Sequence, residues 1–109
     1  MFGNKMNAIE KAVKKGNANA LVGLADNKDE AISLEAIKAL GTVGGMDASN
    51  YLVNRLQSPD VKVRMAVAKS LGEIADVHTK AFLFAQMNKE TDPAVKSAMS
   101  EAMVKIREY

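Results

Sequence analysis

The chain has 109 residues, 48% of them apolar and 26% charged, with a formal charge of +2, which is one domain's worth of chain with the composition of a folded globular protein rather than a disordered one. The absence of cysteine excludes disulfide scaffolds, thiol nucleophiles and cysteine-ligated zinc or iron–sulfur centres, and a single histidine, His78, no tryptophan and 5% aromatic residues leave little for acid–base chemistry, metal ligation or base stacking. Apolar runs fall short of the roughly 18 residues a membrane helix needs and no hydrophobic leader follows Met1, so a cytoplasmic location is expected.

In chain order, residues 4–15 read as an amphipathic helix with Met6, Ile9 and Val13 on its apolar face and Lys5, Lys11, Lys14 and Lys15 around it. Residues 1–16 carry +3 and the remainder −1, so the body of the chain lacks the basic stripe that phosphate binding uses. Gly16 and Asn17 break this helix, and a short one follows over 18–26 with Leu21 and Leu24 inward. A third helix spans 29–43, opened by Asp29 and closed by Gly44-Gly45; a fourth spans 48–57 with Leu52 and Leu56. The fifth covers 60–75, with Pro59 expected in its first turn beside Ser58 or Asp60 as N-cap. The sixth covers 79–88, where Leu83 and at least one of Phe82 and Phe84 are expected in the core, and the seventh covers 92–108, with Asp92 as N-cap and Pro93 in its first turn. Nothing shows the sustained alternation of a strand.

The chain repeats itself. Asp29–Leu40, Asp60–Leu71 and Asp92–Met103 superimpose without a gap at offsets of 31 and 32 residues. Four apolar or small columns coincide: Ile32, Val63 and Val95; Ala36, Val67 and Met99; Ala39, Ser70 and Ala102; and Val43, Ile74 and Ile106. Their spacing marks one face of a helix. Leu21, Leu52 and Leu83 form a matching column in the preceding short helices. One such helix pair cannot bury its apolar face alone, so the pairs must stack into a shared core. This predicts an all-α fold, an α-solenoid of stacked antiparallel helix pairs with about seven helices. The expected division is a leading capping helix over 1–16 and repeats over 17–45, 46–76 and 77–109. Seventeen alanines suit close helix crossings.

Stretch 56–76, with Ser58-Pro59-Asp60, Val63-Arg64, the small run Ala66-Val67-Ala68, Leu71-Gly72 and Ile74, resembles the HEAT-like repeat of the variety named after phycobilisome bilin lyases. Repeat 1 matches through Asn27, Asp29, Ile32-Ser33, Ala36 and Leu40-Gly41, and repeat 3 through Glu90, Asp92, Val95-Lys96, Ala98 and Met103. The resemblance covers about three and a half repeats. It implies an inter-repeat ladder of motif aspartates and basic residues, here Asp60, Arg64, Asp92 and Lys96, with Ser33 departing from the basic position. HEAT-like enzymes that hold two irons do so through His-Glu pairs, and no His-Glu dipeptide occurs here. No nucleophile elbow or phosphate loop is present either, and Gly44-Gly45 and Gly72 read as helix ends. The chain is therefore expected to have no catalytic, metal or cofactor site.

Surface remains. With 63, 67, 70, 71 and 74 turned inward, positions 62, 65, 69 and 73 face away; in HEAT-like proteins that side lines the concave face. Across repeats this predicts a partner-binding row of Leu34, Lys38, Lys62, Met65 and Lys69, where Leu34 and Met65 are apolar at positions a merely solvated helix fills with charge. The expected function is a non-catalytic protein–protein interaction scaffold or adaptor that takes a protein or peptide partner there. The alternatives are an accessory subunit of a bilin-lyase-like or other enzyme complex, and weak nucleic-acid binding through the basic first helix. Membrane is not an expected partner. The final helix, with Met99, Met103, Val104 and Ile106, carries no evident cap, which makes a homodimer through that end a further expectation.

Overall fold

The computed structural model describes residues 2–107, apart from the side chain of Phe2; Tyr109 and the last residue of the seventh predicted helix lie outside the described residues. The helices are α1 (Phe2–Lys15), α2 (Ala18–Ala25), α3 (Glu30–Val43), α4 (Gly45–Asn54), α5 (Val61–Ile74), α6 (Lys80–Met87) and α7 (Pro93–Lys105), with a 3-10 turn over Val77–Thr79 before α6. No strand occurs among the described residues.

Side-chain caps start most of these helices. Asn17, Asp29, Asp60 and Asp92 each accept a hydrogen bond from a backbone N–H in the first turn of α2, α3, α5 and α7, and Asp76 does so for the 3-10 turn. The three long-helix starts share one loop design. Asn27 Oδ1, Ser58 Oγ and Glu90 Oε2 each accept from the N–H two residues on, at 2.8, 3.2 and 3.1 Å, and that residue is the capping aspartate.

The boundaries differ from the sequence reading in several places, and Gly72, read as a helix end, lies inside α5. α4 begins at Gly45 and ends at Asn54, because Gly44 at φ +69° reverses the chain in one residue and serves as both C-cap of α3 and N-cap of α4. Pro59 stands just before the N-cap Asp60 rather than in the first turn, whereas Pro93 is the first residue of α7. α7 stops at Lys105, where Ile106 turns to extended backbone yet stays fully buried. Phe82 and Phe84 are also corrections: both are more than half exposed, at 55% and 53%. Leu83 takes the inward direction, and neighbours 100° to either side on a helix cannot share it.

The helices form two rows. α1, α3, α5 and α7 stack side by side with dense contacts from α3 to α5 and from α5 to α7, while α2, α4 and α6 form an outer row in which α2 meets α4 and packing between α4 and α6 is sparse. α2 backs α3, α4 backs α5 and α6 backs α7. A row packed tightly on one side and loosely on the other curves toward the tight side, so the α3–α5–α7 face is the concave one. The repeat columns lie between the rows: Leu21, Leu52 and Leu83 are fully buried, as are Ile32 and Val95, Ala36, Val67 and Met99, and Leu40 and Leu71. Each large side chain so buried contributes about 1.5–3 kcal/mol relative to exposure. Small residues set the spacing of the inner row. A Cβ on Gly41 would stand 3.0 Å from Ser70 Cα, and one on Gly72 would stand 3.0 Å from Ala102 Cα, so both crossings place helix backbone against helix backbone.

Candidate functional site: the concave groove between α3 and α5

Residues 34, 38, 62, 65 and 69 lie on the faces of α3 and α5 that point away from the outer row, and the fold brings Leu34, Lys38, Lys62, Met65 and Lys69 to the walls of one open groove of about 760 Å³. Leu34 and Met65, one repeat apart, are half-buried against the core and form its apolar floor together with Ala66; Gly41, Thr42 and Ser70 lie at the crossing. The floor is apolar because positions 34, 65 and 66 are Leu, Met and Ala, and the core covers them only in part. Glu35, Lys38 and Thr42 also line a second groove of about 320 Å³ with Ile9, Val13 and Lys14 of α1, which continues the trough toward the N-terminus.

The charges along this face sort into paired and unpaired. Lys62 Nζ contacts Glu30 Oε1 at 3.3 Å and Lys105 Nζ contacts Glu73 Oε1 at 2.8 Å, each pair linking one inner helix to the next. The Lys105 ammonium beside Glu73 holds that carboxyl below its usual range, and Glu73 raises Lys105 in return. All four side chains are about half exposed or more, so these pairs add little stability. Lys38 and Lys69 are exposed and form no ion pair or hydrogen bond among the described residues.

The motif charges at the loops divide their work differently from a run of Asp-to-basic rungs. Asp60 and Asp92 cap α5 and α7. Arg64 reaches out of its own repeat and forms a fork with Glu90, Nε to Oε1 at 2.9 Å and Nη2 to Oε2 at 3.0 Å, while its Nη1 donates to the Ser58 carbonyl at 2.8 Å. The Glu90 side chain is 1% exposed, which makes this a buried, fully partnered charge pair between the second and third helix pairs. Ser33, at the Arg64 position of the first repeat, donates to the Ala25 carbonyl at 2.6 Å and stays within its own pair. Lys96 is exposed on α7 and forms no ion pair or hydrogen bond among the described residues. The sequence contained a signal for Glu90, the one carboxylate long enough to leave the loop at the position held by Asn27 and Ser58.

Elsewhere, His78 is exposed and its Nδ1 lies 3.0 Å from Asp76 Oδ1; the backbone N–H of His78 holds the Asp76 carboxyl below its usual range. Tyr51 Oη donates to Asp26 Oδ1 at 2.6 Å, and burial followed by that bond pushes the phenol's pKa up. The lysines of α1 are exposed, and Lys14 among them lines the groove shared with α3. On α7, Val104 is 75% exposed and borders a groove of about 540 Å³ with Phe84, Met87 and Met103. Val104 occupies the register of Gly41 and Gly72, so another helix cannot approach α7 there as closely as α5 approaches α3. Among the described residues no group of three or more His, Asp or Glu side chains is placed to hold a metal ion, and no helix is long and apolar enough to cross a membrane.

A family model of HEAT repeats matches residues 17–104. The match is to HEAT repeats at large and does not single out the bilin-lyase variety. No curated protein matches the chain.

Proposed function

The chain belongs to the HEAT-repeat family, whose members commonly serve as protein-interaction scaffolds, and from that premise we propose that it is a non-catalytic binding module that holds a segment of a protein partner in the groove between α3 and α5. The observation that carries this reading is the pair Leu34 and Met65, repeat-equivalent residues that form an apolar floor open to solvent within a groove walled by lysines. Two adjacent apolar side chains at the bottom of a concave surface supply the kind of anchor point at which binding energy concentrates, while the surrounding polar rim adds orientation. The volume, about 760 Å³, is in the range that accepts a few ordered side chains.

The test compares affinity capture from the source cell by the wild-type chain, by Leu34→Glu/Met65→Glu and by Leu34→Ala/Met65→Ala, each checked by thermal melting. Partners recovered by the wild type are expected to be lost at least tenfold by the glutamate variant and weakened by the alanine variant. Both variants should keep a cooperative melt a few degrees below wild type, since both residues are half-buried. Undiminished capture by the two variants would overturn the reading.

A further inference from the structure

The groove's charge and its repeat spacing together select a ligand chemistry. Its two acidic walls are unequal: Glu73 is occupied by Lys105, while Glu35 also lines the neighbouring groove, as Lys14 does. Against these, Lys38 and Lys69 are unpaired, exposed and repeat-equivalent, each one helical turn beyond the floor residue of its own helix, Leu34 or Met65. The groove therefore presents two parallel rows that run from α3 to α5: an apolar row, and a cationic row about 6 Å to one side of it.

The step from α3 to α5 sets the ligand's period. Packed helix axes lie about 8–10 Å apart. An extended strand rises about 3.3 Å per residue and turns alternate side chains to opposite faces, so its same-face positions fall at about 7 and 13 Å and straddle that distance. A helix laid across α3 and α5 rises about 1.5 Å per residue and returns to nearly the same face after seven residues, about 10.5 Å on, just above the upper end of that spacing and nearer to it than either strand position. Its flank, 40–100° around from the apolar stripe at i+1, i+4 and i+8, then lies over Lys38 and Lys69.

Building on the concave-groove reading, we infer that the groove is a docking site for an acidic amphipathic helix of a partner protein, with apolar anchors at i and i+7 seated on Leu34 and Met65 and a carboxylate stripe facing Lys38 and Lys69. The apolar floor distinguishes this occupant from a nucleic acid, whose phosphates would need cations in its place. The lysine row also fixes the direction of the bound helix, because reversal turns the acidic flank away.

Two helix-stabilised peptides of about 15 residues test the inference, both with leucine at i and i+7, one with glutamate and the other with lysine at i+1, i+4 and i+8. Titration calorimetry and chemical-shift mapping on the full chain are expected to show the acidic peptide binding in the groove at least tenfold more tightly than the basic one, with the difference shrinking in high salt. Lys38→Glu/Lys69→Glu, whose sites are exposed, should melt like the wild type and invert the preference. Equal binding of the two peptides, an unchanged preference in the lysine variant, no binding of the acidic peptide, or displacement of that peptide by duplex RNA would each overturn the inference. The two readings fail separately: a captured partner lost by Leu34→Glu/Met65→Glu but indifferent to Lys38→Glu/Lys69→Glu keeps the groove and removes the acidic helix.

Discussion

The two junctions between successive helix pairs use one packing register and different chemistry. At α3/α5 the close approach of Gly41 to Ser70 is accompanied by neutral bonds, Ser70 Oγ to the Ile37 carbonyl across the junction at 2.9 Å and Ser33 to its own repeat. At α5/α7 the same approach, Gly72 to Ala102, is accompanied by the buried Arg64–Glu90 fork. The difference shows that the small-residue crossing sets the geometry of stacking, while the polar link is interchangeable and can be tuned junction by junction. Near the groove, charge pairing across α3/α5 among the described residues is the exposed Lys62–Glu30 pair, and Lys38 and Lys69 stay unpaired.

Breaking the charged junction should have the largest effect. Arg64→Ala leaves the buried Glu90 carboxylate without its partner, at a cost of about 3–5 kcal/mol, and Glu90→Ala, which leaves Arg64 partly exposed and still bonded to the Ser58 carbonyl, costs less. A thermal melt of Arg64→Ala followed by circular dichroism should fall by more than about 10 °C, and hydrogen exchange should localise the loosening to α6 and α7. A fall of only a degree or two would mean that the pair contributes nothing beyond the apolar contacts. The crossings come next. Gly41→Ala and Gly72→Ala would each gain about 1 kcal/mol from helix propensity, yet the added methyl meets a neighbouring helix at backbone distance, so a net loss of about 1–3 kcal/mol is expected at both junctions. Denaturant midpoints measure it, and stabilisation by either substitution would show that the inner row has slack. The smallest effect concerns the helix ends. Gly44 and Ala75 are repeat-equivalent C-caps with positive φ, +69° and +57°, but only the first is glycine. Ala75→Gly should stabilise α5 by up to about 1 kcal/mol, read as a rise in melting temperature of a few degrees; no rise would mean that the strain at Ala75 is relieved elsewhere.

The row Leu34, Lys38, Lys62, Met65 and Lys69 could be placed on one side of the inner helices from periodicity, because a residue's direction on a helix follows from its position within the turn. Whether that side forms a groove could not be read so directly, since a groove depends on the distance between α3 and α5, and that distance is set by the contact of Gly41 with Ser70. The Arg64–Glu90 link was half legible: both residues stood in the repeat motif, but their pairing crosses from α5 to a loop 26 residues away. Phe82 and Phe84 were misjudged because hydrophobicity by itself names candidates for burial, and competition with Leu83 for a single inward direction decides among them.

By itself the sequence determined the all-α repeat, its 31- and 32-residue period, its aspartate N-caps and the core columns through Leu21, Ile32 and Ala36, because each is a local property of helix geometry and nearest-neighbour burial. Only the tertiary structure decided which charges are paired, which apolar residues remain half-covered and where the concave surface opens. Those features depend on side chains from different repeats meeting in space, and the length of a side chain or the absence of one Cβ changes the partner without changing the pattern along the chain.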